Sequence, residues 1–84
     1  MTTATFDVLL FGPAREAAGS DRASVEVPVP ATAAEVLAAL GRAHPALAKL
    51  LPRSRVAVNR RYVDVDAGVA PGDEMAIIPP VGGG

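Results

Sequence analysis

One long amphipathic helix lies in the middle of this chain, and strand patterns lie on both sides of it. Thr32 and Glu35 stand in a capping box, in which each side chain accepts a hydrogen bond from the other residue's backbone N–H and so starts a helix. Apolar residues then recur at helical spacing: Val36, Leu37, Leu40 and Ala43. Pro45 ends this helix or restarts it. With one such helix, 84 residues have room for a single small domain in which the helix covers one face of a sheet.

The strand patterns predict the fold class. They cover residues 4–11, 24–29, 55–59, 62–66 and 74–78, and a short helix over Ala14–Ala18 follows the first of them. The first and last strands are apolar on both faces, which is typical of strands in the centre of a sheet. This order predicts an α+β fold of the ubiquitin-like β-grasp type, a mixed sheet with its first and last strands parallel at the centre and one main helix across one face. We predict one domain over residues 1–84, with a core over about 4–78 and an extended C-terminal tail over 79–84.

A single long helix leaves the other face of the sheet uncovered. By alternation, Leu9, Phe11 and one of Ile77 or Ile78 should lie on that uncovered face. Either loops shelter these side chains, or they form a patch that binds a partner, because contiguous exposed apolar surface usually marks an interface.

Composition excludes several classes of function. Eight basic against nine acidic residues give a net charge of −1, so we expect no nucleic-acid partner. No apolar run is long enough to span a membrane and no export signal is recognisable, so we expect a cytoplasmic protein with no membrane partner. The chain has no cysteine and one histidine, which argues against a disulfide framework, a thiolate nucleophile or a zinc site.

Two charged clusters each admit two interpretations. The arginines Arg53, Arg55, Arg60 and Arg61 surround the third strand and its turn. They form either a solvated edge that discourages aggregation or a surface that docks on an acidic partner. The acidic residues Asp64, Asp66, Asp73 and Glu74 form either a cation site or solvated faces, with Asp73 explained by a turn.

The C-terminal tail is the candidate reactive group. Pro79 and Pro80 stiffen the exit from the last strand at about 3 Å per residue, and three glycines without side chains follow. The tail is either a frayed terminus or a segment that enters a tunnel of backbone width. In the second case its chemistry is that of the Gly84 carboxylate, which is ionised and a poor electrophile at neutral pH. It must be activated, most simply by ATP as an acyl-adenylate. The chain has no phosphate-binding loop, so another protein must do this.

Three segments resemble the small subunit of molybdopterin synthase, the MoaD-like sulfur carriers. They are residues 8–19 (VLLFGPAREAAG), residues 56–59 (VAVN) and residues 72–84 (GDEMAIIPPVGGG). The resemblance covers nearly the whole chain in the right order.

The resemblance implies a sulfur-transfer function. A ubiquitin-activating-type enzyme would consume ATP to adenylate Gly84, and a persulfide donor would convert it to a thiocarboxylate. The charged tail would enter the large synthase subunit and give sulfur to precursor Z, in an assembly with two copies of each subunit. No cofactor would bind stably, since sulfur is carried covalently on Gly84. The residues inside the partner's tunnel would be Val81, Gly82 and Gly83. The partner-binding residues would be Leu9, Phe11, Arg15 and Ile78.

Three other functions remain open at this level. The same chemistry could serve thiamine or cysteine biosynthesis, or the terminal glycine could be joined to a substrate lysine, as in a ubiquitin-like protein modifier. The domain could also be a plain interaction module whose tail has no role.

Overall fold

The computed structural model describes residues 2–80 and contains strands on both sides of a central helix. The strands are Thr3–Leu10 (β1), Arg22–Pro28 (β2), Ala31–Thr32 (β3), Arg55–Val58 (β4), Arg61–Val63 (β5), Gly68–Val69 (β6) and Met75–Ile78 (β7). The helices are Gly12–Ala18 (α1), Ala33–Ala43 (α2) and Pro45–Ala48 (α3), with a 3₁₀ turn over Leu51–Arg53.

The main sheet has the strand order β2-β1-β7-β4-β5. Its two central strands, β1 and β7, are parallel to each other, and every other pair in it is antiparallel. The predicted ubiquitin-like β-grasp arrangement is therefore confirmed. Strands β3 and β6 form a separate two-stranded sheet that the sequence patterns did not predict, because each has only two residues.

The core lies between α2 and one face of the sheet. Its largest fully buried side chains are Phe6, Val8, Leu10, Val36, Leu40, Leu47, Met75 and Ile77. Alternate residues of β1 and β7 supply five of these eight side chains, since successive side chains of a strand point to opposite faces. The cross-strand pairs Val8 with Met75 and Leu10 with Ile77 place these side chains in rows beneath the helix.

The ends of the helices follow the predicted signals. Glu35 Oε1 accepts a hydrogen bond from the Thr32 N–H at 2.8 Å, and Thr32 Oγ1 accepts one from the Glu35 N–H at 3.3 Å, so the capping box is present. Helix α1 begins at Gly12, two residues earlier than predicted, and ends at Gly19 in the left-handed conformation (φ 72°). The Gly19 N–H donates to the Arg15 carbonyl, which closes the last turn.

Strand β5 is shorter than the sequence pattern predicted. The alternation suggested a strand to Asp66, but pairing with β4 stops at Val63. The following residues turn toward the N-terminus of α2, where Val65 O accepts from Ala34 N–H at 2.7 Å and Ala67 O accepts from Ala33 N–H at 2.9 Å. These carbonyls satisfy donors that a helix leaves free in its first turn, and this competes with further strand pairing.

Two turns at one end of the sheet are tied together. Asn59 and Arg60 connect β4 to β5 with positive φ angles of 52° and 68°. The Asn59 amide donates to Asp73 Oδ1 at 3.1 Å, and its side-chain oxygen accepts from the Glu74 N–H at 3.0 Å. Asp73 Oδ2 accepts from the Ala70 N–H at 2.8 Å, which confirms a role in its own turn. These contacts hold the β4–β5 hairpin against the start of β7.

Candidate functional site: the open face of the sheet and the exit of the C-terminal tail

The face of the sheet opposite α2 carries a row of cross-strand partners. Leu9 pairs with Ala76, Ala76 with Ala57, and Ala57 with Tyr62, so these four residues cross β1, β7, β4 and β5 in register. Direct cross-strand partners lie on the same face of a sheet. The two alanines are in the middle, and the larger side chains stand at the ends of the row.

This row forms the floor of a shallow apolar groove of about 300 Å³. The side chains around it are Leu9, Phe11, Ala57, Arg60, Tyr62, Glu74, Ala76 and Ile78. Phe11 is 49% exposed and Tyr62 is 55% exposed. The sequence left two interpretations of this face, shelter by loops or a patch that binds a partner. Within residues 2–80, no loop shelters the Phe11 side chain.

The choice between Ile77 and Ile78 is settled by the register of β7. Ile77 is fully buried in the core, while Ile78 is half-buried and lines the groove. Leu9, Phe11 and Ile78 therefore meet on the open face, as predicted from alternation.

The chain leaves β7 at the end of the sheet where this groove lies. Because β1 and β7 are parallel, their carboxyl ends lie side by side, and Phe11 and Pro79 directly follow those ends. Pro79 is buried and Pro80 is exposed, so burial continues one residue beyond β7. A buried proline with a restricted φ angle anchors the exit. Val81, Gly82, Gly83 and Gly84, the predicted tail residues, lie outside the described residues.

Arg15 does not line the groove. It is exposed on α1, a helix held to the domain by the buried Ala14 and placed directly after Phe11. The predicted partner residues thus divide into three that share the groove and one that stands beside it on a helix.

Five of the eight residues around the groove were not among the predicted partner-binding residues: Ala57, Arg60, Tyr62, Glu74 and Ala76. The alternation of β4 and β7 indicates that Ala57 and Ala76 face away from the core. Their proximity to Leu9 depends on which strands are neighbours. Tyr62 is recognisable as an exposed aromatic residue only once its pairing with Ala57 is known.

The described residues hold no obvious catalytic centre. Within residues 2–80 no three His, Asp or Glu side chains lie close enough together to bind a metal ion. The hydrogen bond from the Ala70 N–H, and then the one from the Asn59 amide, lower the pKa of Asp73, which is committed to its turn. The groove is a surface on which a partner can dock.

Comparison with known proteins identifies the family. The family model described as the ThiS family matches residues 8–84, which is most of the chain. The chain belongs to the ThiS family. This match begins in β1 and includes the groove strands, the tail exit and the tail.

The relatives of this ThiS-family chain include molybdopterin synthase sulfur carrier subunits and the archaeal protein SAMP1. It is 40% identical over 80 residues to the molybdopterin synthase sulfur carrier subunit of Chlamydomonas reinhardtii, covering 92% of this chain and 95% of the relative. It is 35% identical over 82 residues to the subunit of the same name from Dictyostelium discoideum, covering 94% and 95%. The crystal structure of SAMP1 from Haloferax volcanii superposes with a TM-score of 0.86 at 34% identity, covering 96% of this chain and all of that one. The resemblance to molybdopterin synthase sulfur carriers is confirmed.

Proposed function

We propose that this protein is the sulfur carrier and small subunit of a molybdopterin synthase. One observation carries the proposal: the exposed apolar groove and the anchored exit of the glycine tail lie together at the carboxyl ends of β1 and β7. A carrier needs both parts, since one surface must dock on an enzyme while the tail reaches that enzyme's active site. The chain is 35% and 40% identical to two molybdopterin synthase sulfur carrier subunits, and each alignment covers more than nine-tenths of this chain. This similarity supports the assignment.

The reactive atom in this proposal belongs to the α-carboxylate of Gly84. An ATP-dependent enzyme of the ubiquitin-activating type joins this carboxylate to AMP and releases pyrophosphate. A persulfide sulfur then displaces AMP, and a thiol reduces the resulting acyl disulfide to leave a thiocarboxylate. The sulfur is held covalently on Gly84, so the domain needs no resident cofactor.

The folded domain then acts as a docking element. Leu9, Phe11 and Ile78 bind the large synthase subunit, and Val81, Gly82 and Gly83 pass through its tunnel. The anchored Pro79 keeps the start of the tail beside the docked surface, which lowers the conformational entropy lost on insertion. We propose two copies of each subunit in the assembled synthase, with precursor Z as the sulfur acceptor.

Mass spectrometry of the C-terminus tests this function. The purified chain is incubated with its activating enzyme, ATP and a sulfur donor, and then added to the large subunit and precursor Z. We expect the C-terminal peptide to gain the mass difference between sulfur and oxygen, and to lose it when precursor Z is converted. A chain lacking Gly83 and Gly84 is the control. A sulfur-loaded carrier that converts no precursor Z would instead indicate another pathway, such as thiamine or cysteine biosynthesis.

A ubiquitin-like modifier is the second candidate. The observation that favours it is the similarity to SAMP1, the small archaeal modifier protein 1 of Haloferax volcanii, which is 37% identical over 83 residues. In that function an activated Gly84 is attacked by a substrate lysine amine and forms an isopeptide bond. Enrichment of the tagged chain from cells and a search for Gly84-linked lysine peptides decide between the two. Such adducts would support the modifier, and their absence beside abundant thiocarboxylate would exclude it.

A further inference from the structure

Strand β2 lies at one edge of the main sheet, and alternate backbone polar groups along it point away from the sheet. At one end of its pairing with β1, Leu10 N–H donates to Asp21 O at 2.9 Å. At the other end, Val29 N–H donates to Thr2 O at 2.9 Å. The odd-numbered residues of β2 therefore direct their N–H and C=O groups toward β1. The even-numbered residues direct theirs outward, and they are Arg22, Ser24, Glu26 and Pro28.

Both ends of this edge are limited as sites for a further strand. Ser20 Oγ donates to the Arg22 carbonyl at 2.9 Å and accepts from the Arg22 N–H at 3.3 Å, so one side chain satisfies both outward groups of Arg22. Pro28, at the other end, has no N–H to donate. Between these ends, the outward N–H and C=O groups of Ser24 and Glu26 have no strand to pair with among residues 2–80. Unpaired edge groups of this kind are a template for a strand of another chain.

The space beside these four groups is open. A cavity of about 550 Å³ lies against this part of the edge, between β2 and the last turns of α2. Ser24, Val25 and Glu26 are among the residues that line it from β2, and the small side chains of Ala39 and Ala43 line it from α2. A strand that pairs here would lie about 4.8 Å from β2, as a sixth strand of the sheet.

The hydrogen-bonding groups of this edge are complementary to those of a second copy. When two β2 strands pair antiparallel about a twofold axis at Val25, Ser24 of each copy faces Glu26 of the other. Their free N–H and C=O groups then form two pairs with two hydrogen bonds each. The same register places Pro28 of each copy opposite Arg22 of the other. The donor that proline lacks therefore faces a carbonyl that is already satisfied within its own chain.

The charges on the open face of β2 favour the same pairing. Arg22 and Glu26 are both exposed there, and in this register Arg22 of each copy lies diagonal to Glu26 of the other, at about 7–8 Å, which long side chains can span. The two Glu26 side chains share one diagonal, so two attractive pairs stand against one repulsive pair. Asp7 beside them already accepts a hydrogen bond from Ser24 Oγ. On the helix side the cavity carries Arg42, which offers Glu26 a further basic neighbour.

We infer that β2 is a self-association edge, at which two copies of this chain pair their β2 strands antiparallel about Val25 and join their five-stranded sheets into one. The inference goes beyond the proposed function and does not depend on it. The groove on the open face is lined by residues of β1, β4, β5 and β7 and residues that adjoin them. A dimer through β2 therefore leaves the groove and the exit of the tail accessible to an enzyme.

Sedimentation equilibrium of the full chain measures the association. The contact is small, so we expect a weak and reversible dimer, with the average mass rising from 8.5 kDa toward twice that value between about 10 µM and 1 mM. Amide hydrogen exchange locates the contact. At the highest concentration, exchange of the Ser24 and Glu26 N–H groups should slow at least about threefold relative to dilute protein. The Arg22 N–H, which is bonded to Ser20 in the monomer, should change less.

Two substitutions of Ser24 form a matched pair. Ser24→Pro removes the outward N–H without removing a hydrogen bond of the β1–β2 ladder, and a proline is tolerated on an edge strand. Ser24→Ala keeps that N–H, and both variants lose the side-chain hydrogen bond to Asp7. We expect Ser24→Pro to raise the dimer Kd at least about tenfold and Ser24→Ala to change it by less than about threefold. Circular dichroism verifies that each variant is folded.

Three results would overturn the inference. A wild-type chain that stays monomeric up to about 1 mM would leave the edge to a strand of a different protein. A dimer that persists in folded Ser24→Pro would place the contact on another face. Equal losses in Ser24→Pro and Ser24→Ala would assign the effect to the side chain rather than to the edge N–H. If Ser24→Pro does not fold, the wild-type exchange data decide, and unchanged exchange at Ser24 and Glu26 in a dimeric sample would contradict pairing through β2.

Discussion

Substitutions of Ile77 and Ile78 compare the two faces of the central strand β7. They are the same residue type at adjacent positions of β7, yet Ile77 is fully buried beneath α2 and Ile78 is half-buried in the groove. We predict that Ile77→Ala mainly lowers stability and that Ile78→Ala mainly lowers affinity for the large subunit.

The magnitude for Ile77 follows from its burial. Truncation to alanine removes three carbon groups from a fully buried site, at about 0.8 kcal/mol each. The cavity left behind adds to this transfer free energy, so the expected loss is about 3–4 kcal/mol. A chain of 84 residues has a free energy of unfolding of about 4–12 kcal/mol, and the variant therefore loses a large part of it.

The magnitude for Ile78 is smaller because water already reaches its side chain. We expect Ile78→Ala to lower the free energy of unfolding by about 1 kcal/mol or less. Its affinity for the large subunit should fall about tenfold, because the partner would desolvate this side chain on binding.

Urea unfolding followed by far-UV circular dichroism measures the first effect, and calorimetry with the large subunit measures the second. The melting temperature should fall by about 4–8 °C for each kcal/mol lost. Affinity is compared at a temperature and urea concentration where both variants are fully folded. Equal stability losses in the two variants, or unchanged affinity of Ile78→Ala, would refute the division of β7 into a core face and a binding face.

Three further predictions concern the local contacts that hold the scaffold. Thr32→Ala should lower the free energy of unfolding by about 1 kcal/mol in urea titrations, whereas Thr32→Ser keeps the hydroxyl that accepts from Glu35 and should cost less than about 0.5 kcal/mol. The pKa of Asp73 is lowered by folding, so its contribution is present above the unfolded pKa of about 4 and is lost as the pH falls through the lower folded pKa. Wild-type stability should therefore decline more steeply than that of Asp73→Asn between about pH 5 and pH 3, and parallel curves would contradict this. Arg60→Gly should raise stability by about 0.5–1 kcal/mol because glycine accepts the φ angle of 68° without strain, and a loss of stability would argue against strain at this turn.

Local signals in the sequence predicted the elements of this fold well. The capping box placed the start of α2, and alternation in β1 separated its core residues from its open-face residues. In β7, which is apolar on both faces, alternation left the choice between Ile77 and Ile78 open. These signals depend on neighbours a few residues apart, so they act through hydrogen bonds and side-chain periodicity that short segments already possess. The end of β5 was predicted wrongly because Val65 and Ala67 give their carbonyls to the distant first turn of α2. No pattern within residues 62–67 indicates that these carbonyls bind the helix N-terminus instead of a neighbouring strand.

The sequence alone limited the side-chain chemistry of this protein and suggested its proposed reactive group. It has no cysteine and one histidine, and a glycine-rich segment follows two prolines, which is the basis for proposing the Gly84 carboxylate as the reactive group. The tertiary structure decided where that segment leaves the domain and what surrounds the exit. The groove joins Leu9, Ala57, Tyr62 and Ala76, which belong to four strands from separate parts of the chain. Their meeting depends on the strand order and register of the sheet, which long-range packing beneath α2 selects, and the stacking of Arg55 on Tyr62 exists only in that register.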